Sequence, residues 1–471
     1  MAFADLLRLD SLSYRDGQVS IRWSVDDLEF STAIHYDSLT FEDLVERYGR
    51  TAVDRVVFHI ALFELAKGSS FGPATFSIPE PWRPYLTAEL LALWQQVIHG
   101  VWGQWRYEHN RPDYCGPDPA VDLSAPPSAG GAEIFAIVPT GVPNLWFCGG
   151  GKDSLLSGHV LRTLGLPFDG LAYSHSVYGP ARPQHDLIDA LFDVTGVGER
   201  RRQFEYDTAL DLPVDLLSTF DGVQYLLHAE TPASVFNALP LCMAHGYRRL
   251  VLSHERSANV GNLIWDATGE DINHQWGKSA AAESLIDRYI TEHLTPDVAY
   301  VSALQPVFDA LIFFSLRDVA RMLPAAHSCN VQKPWCMRCA KCAYVWISYM
   351  AWLPWSVAEG AFGGVNLLDI HENRRWYREM LGLAGHTPFD CIGQVDEVRL
   401  AFKLAHARGL RGAAMEYFVP DDGTDWIAVA ERYLRVEQAG PRLLAAFGGG
   451  IVDYFAAKSV AGLAYVRKVL G

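Results

Sequence analysis

Three stretches of the chain concentrate the residue types that chemistry needs. The first is Gly149-Gly150-Gly151-Lys152-Asp153-Ser154, which follows the apolar run Leu145-Trp146-Phe147-Cys148 and precedes Leu155, Leu156, Val160 and Leu164 at helical spacing. Strand, glycine turn and helix in that order expose backbone N–H groups at a helix N-terminus. The helix dipole there favours a phosphate, and glycine permits close approach and positive φ. Lys152 would add a mobile cation, Ser154 a hydroxyl donor, and Asp153 a carboxylate able to orient Mg2+ or a loop amide. The blander reading is a tight turn in which Asp153 and Ser154 cap the helix.

The second stretch is Cys329 with Cys336-x-x-Cys339-x-x-Cys342. Two short chelate loops fit one tetrahedral ion, and four thiolates leave no open position, so structural Zn2+ is the expectation. Arg338 and Lys341, between the ligands, partly offset the negative charge of such a centre. An iron–sulfur cluster or a set of buried thiols are the alternatives. The remaining cysteines, Cys115, Cys148, Cys242 and Cys391, are scattered, and a chain of this length is not built on a disulfide framework.

The third stretch runs from Ser253 through His254, Glu255, Arg256, Asn259 and Asn262, and resumes at Asn273-His274-Gln275-Trp276-Gly277-Lys278. It follows the strand candidate Leu250-Val251-Leu252-Ser253, and its density of polar groups exceeds what a solvated loop needs. It reads as the floor of a site, each polar residue singly also being consistent with a surface loop or cap.

The elements that must position these groups alternate along the chain. Leu145–Cys148, Gly170–Ser174 and Leu250–Ser253 read as strands separated by helical segments, which predicts an α/β fold with a parallel sheet and ligands at the strand C-terminal ends. Residues 1–130 are expected to form an α+β domain, with strands over 18–36 and helix over 41–67. The proline-rich run from Arg111 to Gly131 would be the linker, 131–345 the nucleotide-binding domain, and 346–471 a helical end. His59 reads as a core histidine, and Glu199-Arg200-Arg201-Arg202 as a solvated charge run. The 471 residues are ample for several cores. With 39 basic and 55 acidic residues the formal charge is −16, which argues against a nucleic-acid partner. The first residues lack a signal-peptide pattern, and Ala343–Ala358 is too short to span a bilayer, so a cytoplasmic protein with no membrane partner is expected.

Gly149–Ser154 resembles the Ser-Gly-Gly-x-Asp-Ser fingerprint of PP-loop ATP pyrophosphatases, with Gly149 in place of the serine and Lys152 at the variable position. A similar cysteine arrangement occurs in 7-cyano-7-deazaguanine synthases, also PP-loop enzymes, which favours zinc. The polar stretch, Trp335–Cys342 and Thr387-Pro388-Phe389-Asp390-Cys391-Ile392-Gly393 resemble the UDP-N-acetylmuramoyl-L-alanyl-L-glutamate epimerase family from about Phe58 to Phe402. That resemblance implies a PP-loop ATP-binding fold and an enzyme using ATP and Mg2+ to invert the terminal L-glutamate of a nucleotide-linked peptide. AMP and diphosphate would be released, and peptidoglycan precursor synthesis would be the pathway. With the clustering, it nominates His254, His274 and Lys278 as acid/base groups, since a histidine near its ordinary pKa suits proton transfer. Glu255 would orient groups or bind magnesium. Ser174, with His175 and Ser176, would touch adenine or ribose, and Arg256, Asn259 and Asn262 would hold substrate carboxylates or phosphates. Alternatives are a PP-loop ligase or tRNA modifier, an epimerase of another peptide, and a nucleotide-binding regulator without turnover.

Overall fold

The computed structural model describes residues 4–120, 134–211 and 228–471. The first three residues and the 121–131 part of the expected linker lie outside the described residues. Three antiparallel strands open the chain, β1 (Leu6–Arg15), β2 (Gln18–Val25) and β3 (Leu28–Tyr36). Helices Phe41–Tyr48 and Arg50–Leu65 follow, then the short strands β4 (Thr75–Ser77) and β5 (Asp118–Pro119). Next come β6 (Asn144–Cys148), β7 (Phe168–His175), β8 (Arg200–Asp207) and β9 (Arg249–Glu255). A two-stranded hairpin, β10 (Leu263–Ile264) with β11 (Asp271–Ile272), and finally β12 (Ala299–Leu304) complete the strands.

Ten strands form one sheet in the order β12-β9-β6-β7-β8-β3-β2-β1-β4-β5. From β12 to β8 every pairing is parallel, and β8 then pairs antiparallel with β3, which welds the opening meander onto the parallel sheet. The parallel part starts at β6 and grows through β7 to β8 on one side. It then returns to β6 and grows through β9 to β12 on the other. Between β6 and β9 the crossovers diverge, and a doubly wound sheet binds ligands at that switch point, outside the strand C-termini.

Alternation along these strands divides the core between the sheet's two faces. Leu145, Phe147, Leu171, Leu250, Leu252 and Tyr300 point to a face covered by helices Arg50–Leu65, Ala88–Val101, Glu230–Asn237, Leu239–His245 and Ala280–Tyr289. Trp146, Cys148, Ala172, Val251, Val301 and Ala303 point to the other. Helices Lys152–Thr163, Ala181–Thr195, Asp309–Ser315, Ala340–Trp352, Val395–Ala407 and Gly450–Leu470 cover that face. All residues of Ala340–Trp352 are buried, as the apolar run predicts, and the helix ends before Pro354. Among the described residues no single helix is long and apolar enough to cross a membrane. Pro441–Phe447 with Gly450–Leu470 meet that test only as a pair bent by 105°.

The run Glu199–Arg202 is not a solvated loop. From Arg200 onward it is β8, held inside the sheet because each arginine finds a carboxylate: Arg200 pairs with Asp193, Arg201 approaches Asp169, and Arg202 pairs with Asp189 and Asp37. His59 is a core histidine, bonded to Arg55 O at 2.7 Å and the Tyr289 hydroxyl at 2.8 Å.

The join between meander and parallel sheet encloses a buried ion cluster. Lys67 Nζ lies 2.5 Å from carboxylate oxygens of Glu64 and Asp207 and also bonds Glu205, all nearly inaccessible to solvent. One ammonium cannot neutralise three carboxylates in a low dielectric, so one of them must hold a proton. Burial, and then the charge on Glu205, push the Glu64 carboxyl up to about 8. Burial acts on Glu205 in the same direction, but Lys67 and His175 outweigh it and hold Glu205 well below the usual range. Because the Glu64 carboxyl is raised on folding, the stability it contributes is complete below its unfolded value near pH 4.5. That contribution is lost as pH rises through about 8. Chemical denaturation should therefore show stability falling across that window in the wild type and not in Glu64→Gln. Lys67→Met, which strands the carboxylates, should cost about 3–5 kcal/mol.

Candidate functional site

A cavity of about 280 Å³ opens at the C-terminal ends of β6 and β9, at the switch point of the sheet. Gly149, Asp153 and Ser154 line it from the glycine turn, Ser253, His254 and Glu255 from the end of β9, and Lys278 from the loop before helix Ala280–Tyr289. Sequence separation kept these three groups apart; parallel pairing of β6 with β9 brings them together.

The turn itself is shaped from above. Gly150 has φ +84°, and a Cβ there would sit 2.4 Å from His327 Nε2, so only glycine fits. The His327 N–H donates to Gly150 O at 2.8 Å, and Ser328 Oγ accepts from the Lys152 N–H at 3.1 Å. Gly149, by contrast, lines the cavity with open space around its Cβ position, so a serine would fit there. The Ser154 hydroxyl accepts from the Gly149 N–H at 3.3 Å.

Lys152 is not a mobile cation. It is fully buried, with Nζ 2.6 Å from Asp153 and 2.7 Å from Asp309 and 4.7 Å from the Phe313 ring centre. Burial alone would lower its pKa, but the carboxylates of Asp153, Asp309 and Glu255 raise it, so the charge is permanent and committed to the turn. Among the described residues, the lysines that do line the cavity are Lys278 and Lys333.

The groups after β9 differ from one another in charge state. His254 is buried, with the Tyr300 hydroxyl 3.4 Å from Nδ1, and burial and then Lys278 depress its pKa to about 3. It is a neutral imidazole, not the near-neutral titrating group expected from its residue type. Glu255 is 6% exposed, and burial, followed by the charges of Asp309 and Asp153, push its carboxyl up to about 8. Lys278 Nζ donates to Cys391 Sγ at 3.0 Å. Burial would raise the Cys391 thiol, but Lys278, a hydrogen bond from His274 and the charge on Lys341 bring it down to about 6. His274 thus stands behind the cavity wall, bonded to Gln104 at 2.7 Å and reaching the site only through Cys391.

The other nominated residues are placed elsewhere. The Ser174 hydroxyl lies 2.7 Å from His185 Nε2 and bonds Gln203 O, while His175 belongs to the Glu205 cluster and the Ser176 hydroxyl accepts from the Asp207 N–H. Tyr173, Tyr178, Gln184 and Ile188 line that part of the cavity instead. Arg256 turns outward to Glu437 at 3.8 Å and stacks on Phe308, because its N–H is tied to Val307 O. Asn259 accepts from the Ala280 N–H at 2.6 Å and donates to Gln305. Asn262 bonds Thr387 Oγ1, Pro388 O and the His274 N–H, and lines a second cavity. Sequence reading missed Tyr178, Glu230, His327, Asn330 and Lys333 as lining residues. Of these, His327, Asn330 and Lys333 were signalled by adjacency to Cys329.

The four cysteines converge. Sγ atoms of Cys329 and Cys339 are 3.9 Å apart, those of Cys336 and Cys342 3.8 Å, and all four lie within 4.8 Å of one another. Tetrahedral Zn–S bonds of about 2.3 Å require sulfur separations near 3.8 Å. Backbone N–H groups of Val331, Gln332 and Cys342 point at sulfurs of Cys329 and Cys339, as thiolate ligands need. The set could hold Zn2+, and it anchors the strap from His327 to Lys333 that closes over the glycine turn.

A doubly wound sheet whose switch point opens into a polar, carboxylate-lined cavity is the layout of an α/β enzyme. Residues 232–303 match the MurL N-terminal domain and residues 324–415 the MurL C-terminal domain. A Salinispora tropica protein named UDP-N-acetyl-alpha-D-muramoyl-L-alanyl-L-glutamate epimerase is 32% identical over 267 residues, 54% of this chain and 54% of its own length. Identically named proteins are 27% identical in a Micromonospora species, covering 73% of this chain and 74% of theirs, and 28% identical in Xanthomonas oryzae pv. oryzae, covering 71% and 72%. The chain belongs to the MurL epimerase family.

The ion pair behind the cavity wall is directly testable. The rate of Cys391 alkylation by iodoacetamide should rise with pH around a midpoint near 6, and Lys278→Met should move that midpoint upward, toward the ordinary thiol value.

Proposed function

We propose that the protein is an ATP-dependent epimerase that inverts the terminal L-glutamate of UDP-N-acetylmuramoyl-L-alanyl-L-glutamate through an acyl-adenylate, releasing AMP and diphosphate. The observation that carries this reading is the cavity in which the glycine turn, Asp153, Ser154, Glu255 and Lys278 converge at the sheet's switch point. Family membership and the relatives' names supply the reaction class and the substrate.

The chemistry suits the groups present. An α-proton beside a carboxylate is scarcely acidic, because its removal creates a dianion; adenylating the carboxyl removes that charge and lets the carbanion delocalise as an enolate. The turn's N–H groups and Ser154 receive the phosphates. The walls carry Asp153, Glu230 and Glu255, so a polyphosphate would need Mg2+ to offset their charge, and Asp153 would supply it a hard-oxygen ligand. Glu255, raised into the neutral range, takes the α-proton. Lys278 steadies the enolate oxygen and returns a proton on the opposite face, resupplied through Cys391 and His274. His254, held neutral, shapes the floor beside them. Water then cleaves the adenylate. The same reading gives the PP-loop class of fold, structural Zn2+ at the four cysteines, and a cytoplasmic setting in peptidoglycan precursor synthesis.

Incubation with ATP, Mg2+ and the muramoyl dipeptide in D2O should yield AMP, inversion and deuterium at the glutamate α-carbon. AMP without inversion would instead favour a ligase, and no AMP with any carboxylate a nucleotide-binding regulator. Glu255→Gln should keep AMP formation while lowering deuterium incorporation by about 100-fold or more, whereas Asp153→Asn should lower both. Elemental analysis should give one zinc per chain without the visible absorbance of an iron–sulfur cluster. Cys339→Ser should lose the metal and melt roughly 5–15 °C lower.

A further inference from the structure

A second cavity of about 280 Å³, lined by Ser257, Asn262, Gln275, Gly393, Arg432 and Tyr433, lies against the same two segments that wall the first. Ser257 follows Glu255 by two residues, and Gln275 precedes Lys278 by three, so the two cavities share these segments as a common wall.

Most polar groups in the second cavity are already bonded. Ser257 donates to Glu397 at 2.8 Å and accepts from the Asp309 N–H at 2.9 Å. Asn262 uses both its amide hydrogens and its oxygen on neighbouring groups. Gln275 is the exception. It is 6% exposed and its Nε2 donates to Ile392 O at 3.2 Å, which fixes the amide orientation. Its Oε1 is left buried without a partner. An unpaired buried acceptor is costly unless an N–H or O–H of a ligand reaches it. At the rim, Arg432 is exposed over the Tyr433 ring, and the described residues put no carboxylate in ion-pair range of its guanidinium. Asp396, the acidic residue of the rim, lies 3.6 Å from Arg399.

A buried acceptor with a free cation at the mouth fits a ligand carrying an N–H donor at one end and an anion at the other. We propose that the second cavity is the uridine diphosphate subsite, in which the imide N3–H of uracil donates to Gln275 Oε1 and the diphosphate meets Arg432. This rests on the proposed function only in taking the substrate to be UDP-linked, and it assigns the two ends of that substrate to two cavities sharing one floor.

The test is calorimetric binding of UDP to the full-length protein without turnover. UDP should bind equally in the presence of saturating Mg-ATP, and N3-methyl-UDP about 10-fold more weakly. Gln275→Met should erase that tenfold difference. Arg432→Ala, a surface change that leaves the fold intact, should weaken UDP about 10-fold and leave uridine unchanged. No measurable UDP binding, displacement of UDP by ATP, pyrophosphate binding as tightly as UDP, or variants indistinguishable from wild type would each overturn the proposal. Because no chemical step is read, failure of the epimerase assay leaves these outcomes intact, and the reverse also holds.

Discussion

Everything at the switch point hangs on a lysine that never meets solvent. Lys152 joins Asp153 in the turn after β6 to Asp309 in the turn after β12. Asp309 passes the connection on: its second oxygen accepts from the Tyr344 hydroxyl of helix Ala340–Trp352, and its N–H donates to Ser257. Ser257 and Ala310 both donate to Glu397 of helix Val395–Ala407. A permanent charge in a dry interior must be matched by carboxylates, so the turn, the floor and two helices of the far face are fixed relative to one another by one electrostatic requirement. With Lys152 so committed, the lysines that line the cavity among the described residues are those on the loop before helix Ala280–Tyr289 and on the strap.

The strap is the second constraint. His327 fills the space over Gly150 and Ser328 bonds the first helical N–H, and both precede Cys329 directly. The cysteine cluster sits beside the cavity rather than in it, yet it determines where His327, Asn330 and Lys333 stand. Its sulfurs are thereby coupled to the shape of a site they do not touch.

What the sequence made legible was local. The glycine turn, the cysteine spacing and the polar run after β9 each sit within one short stretch of chain, where type and spacing imply geometry, and the α/β alternation followed from apolar runs. What escaped was set at long range. Lys152 looked free because its partner Asp309 is 157 residues away. Residues 200–202 looked like a surface because the carboxylates that admit three arginines to a strand come from three different segments, Asp37 after β3, Asp169 in β7, and Asp189 and Asp193 on helix Ala181–Thr195. The ionisation of His254 and Glu255 is likewise a property of burial, which no residue type announces. Arg256 and Asn259 belonged to the right stretch but to the wrong side of it, since the chain leaves β9 in a tight helical turn that buries Ser257 and Ala258 and leaves Arg256 and Asn259, three residues apart, on its outer side.

The division of the core has a consequence for how the protein comes into being. One face of β6, β7 and β9 is covered by helices from the first half of the chain and from residues 230–290. The other is covered largely by helices beyond residue 309, the last of them ending at Leu470. A ribosome delivers the sheet long before it delivers that second cover. Until the C-terminal helices emerge, only helices Lys152–Thr163 and Ala181–Thr195 cover that face, so much of its apolar surface waits for the last third of the chain.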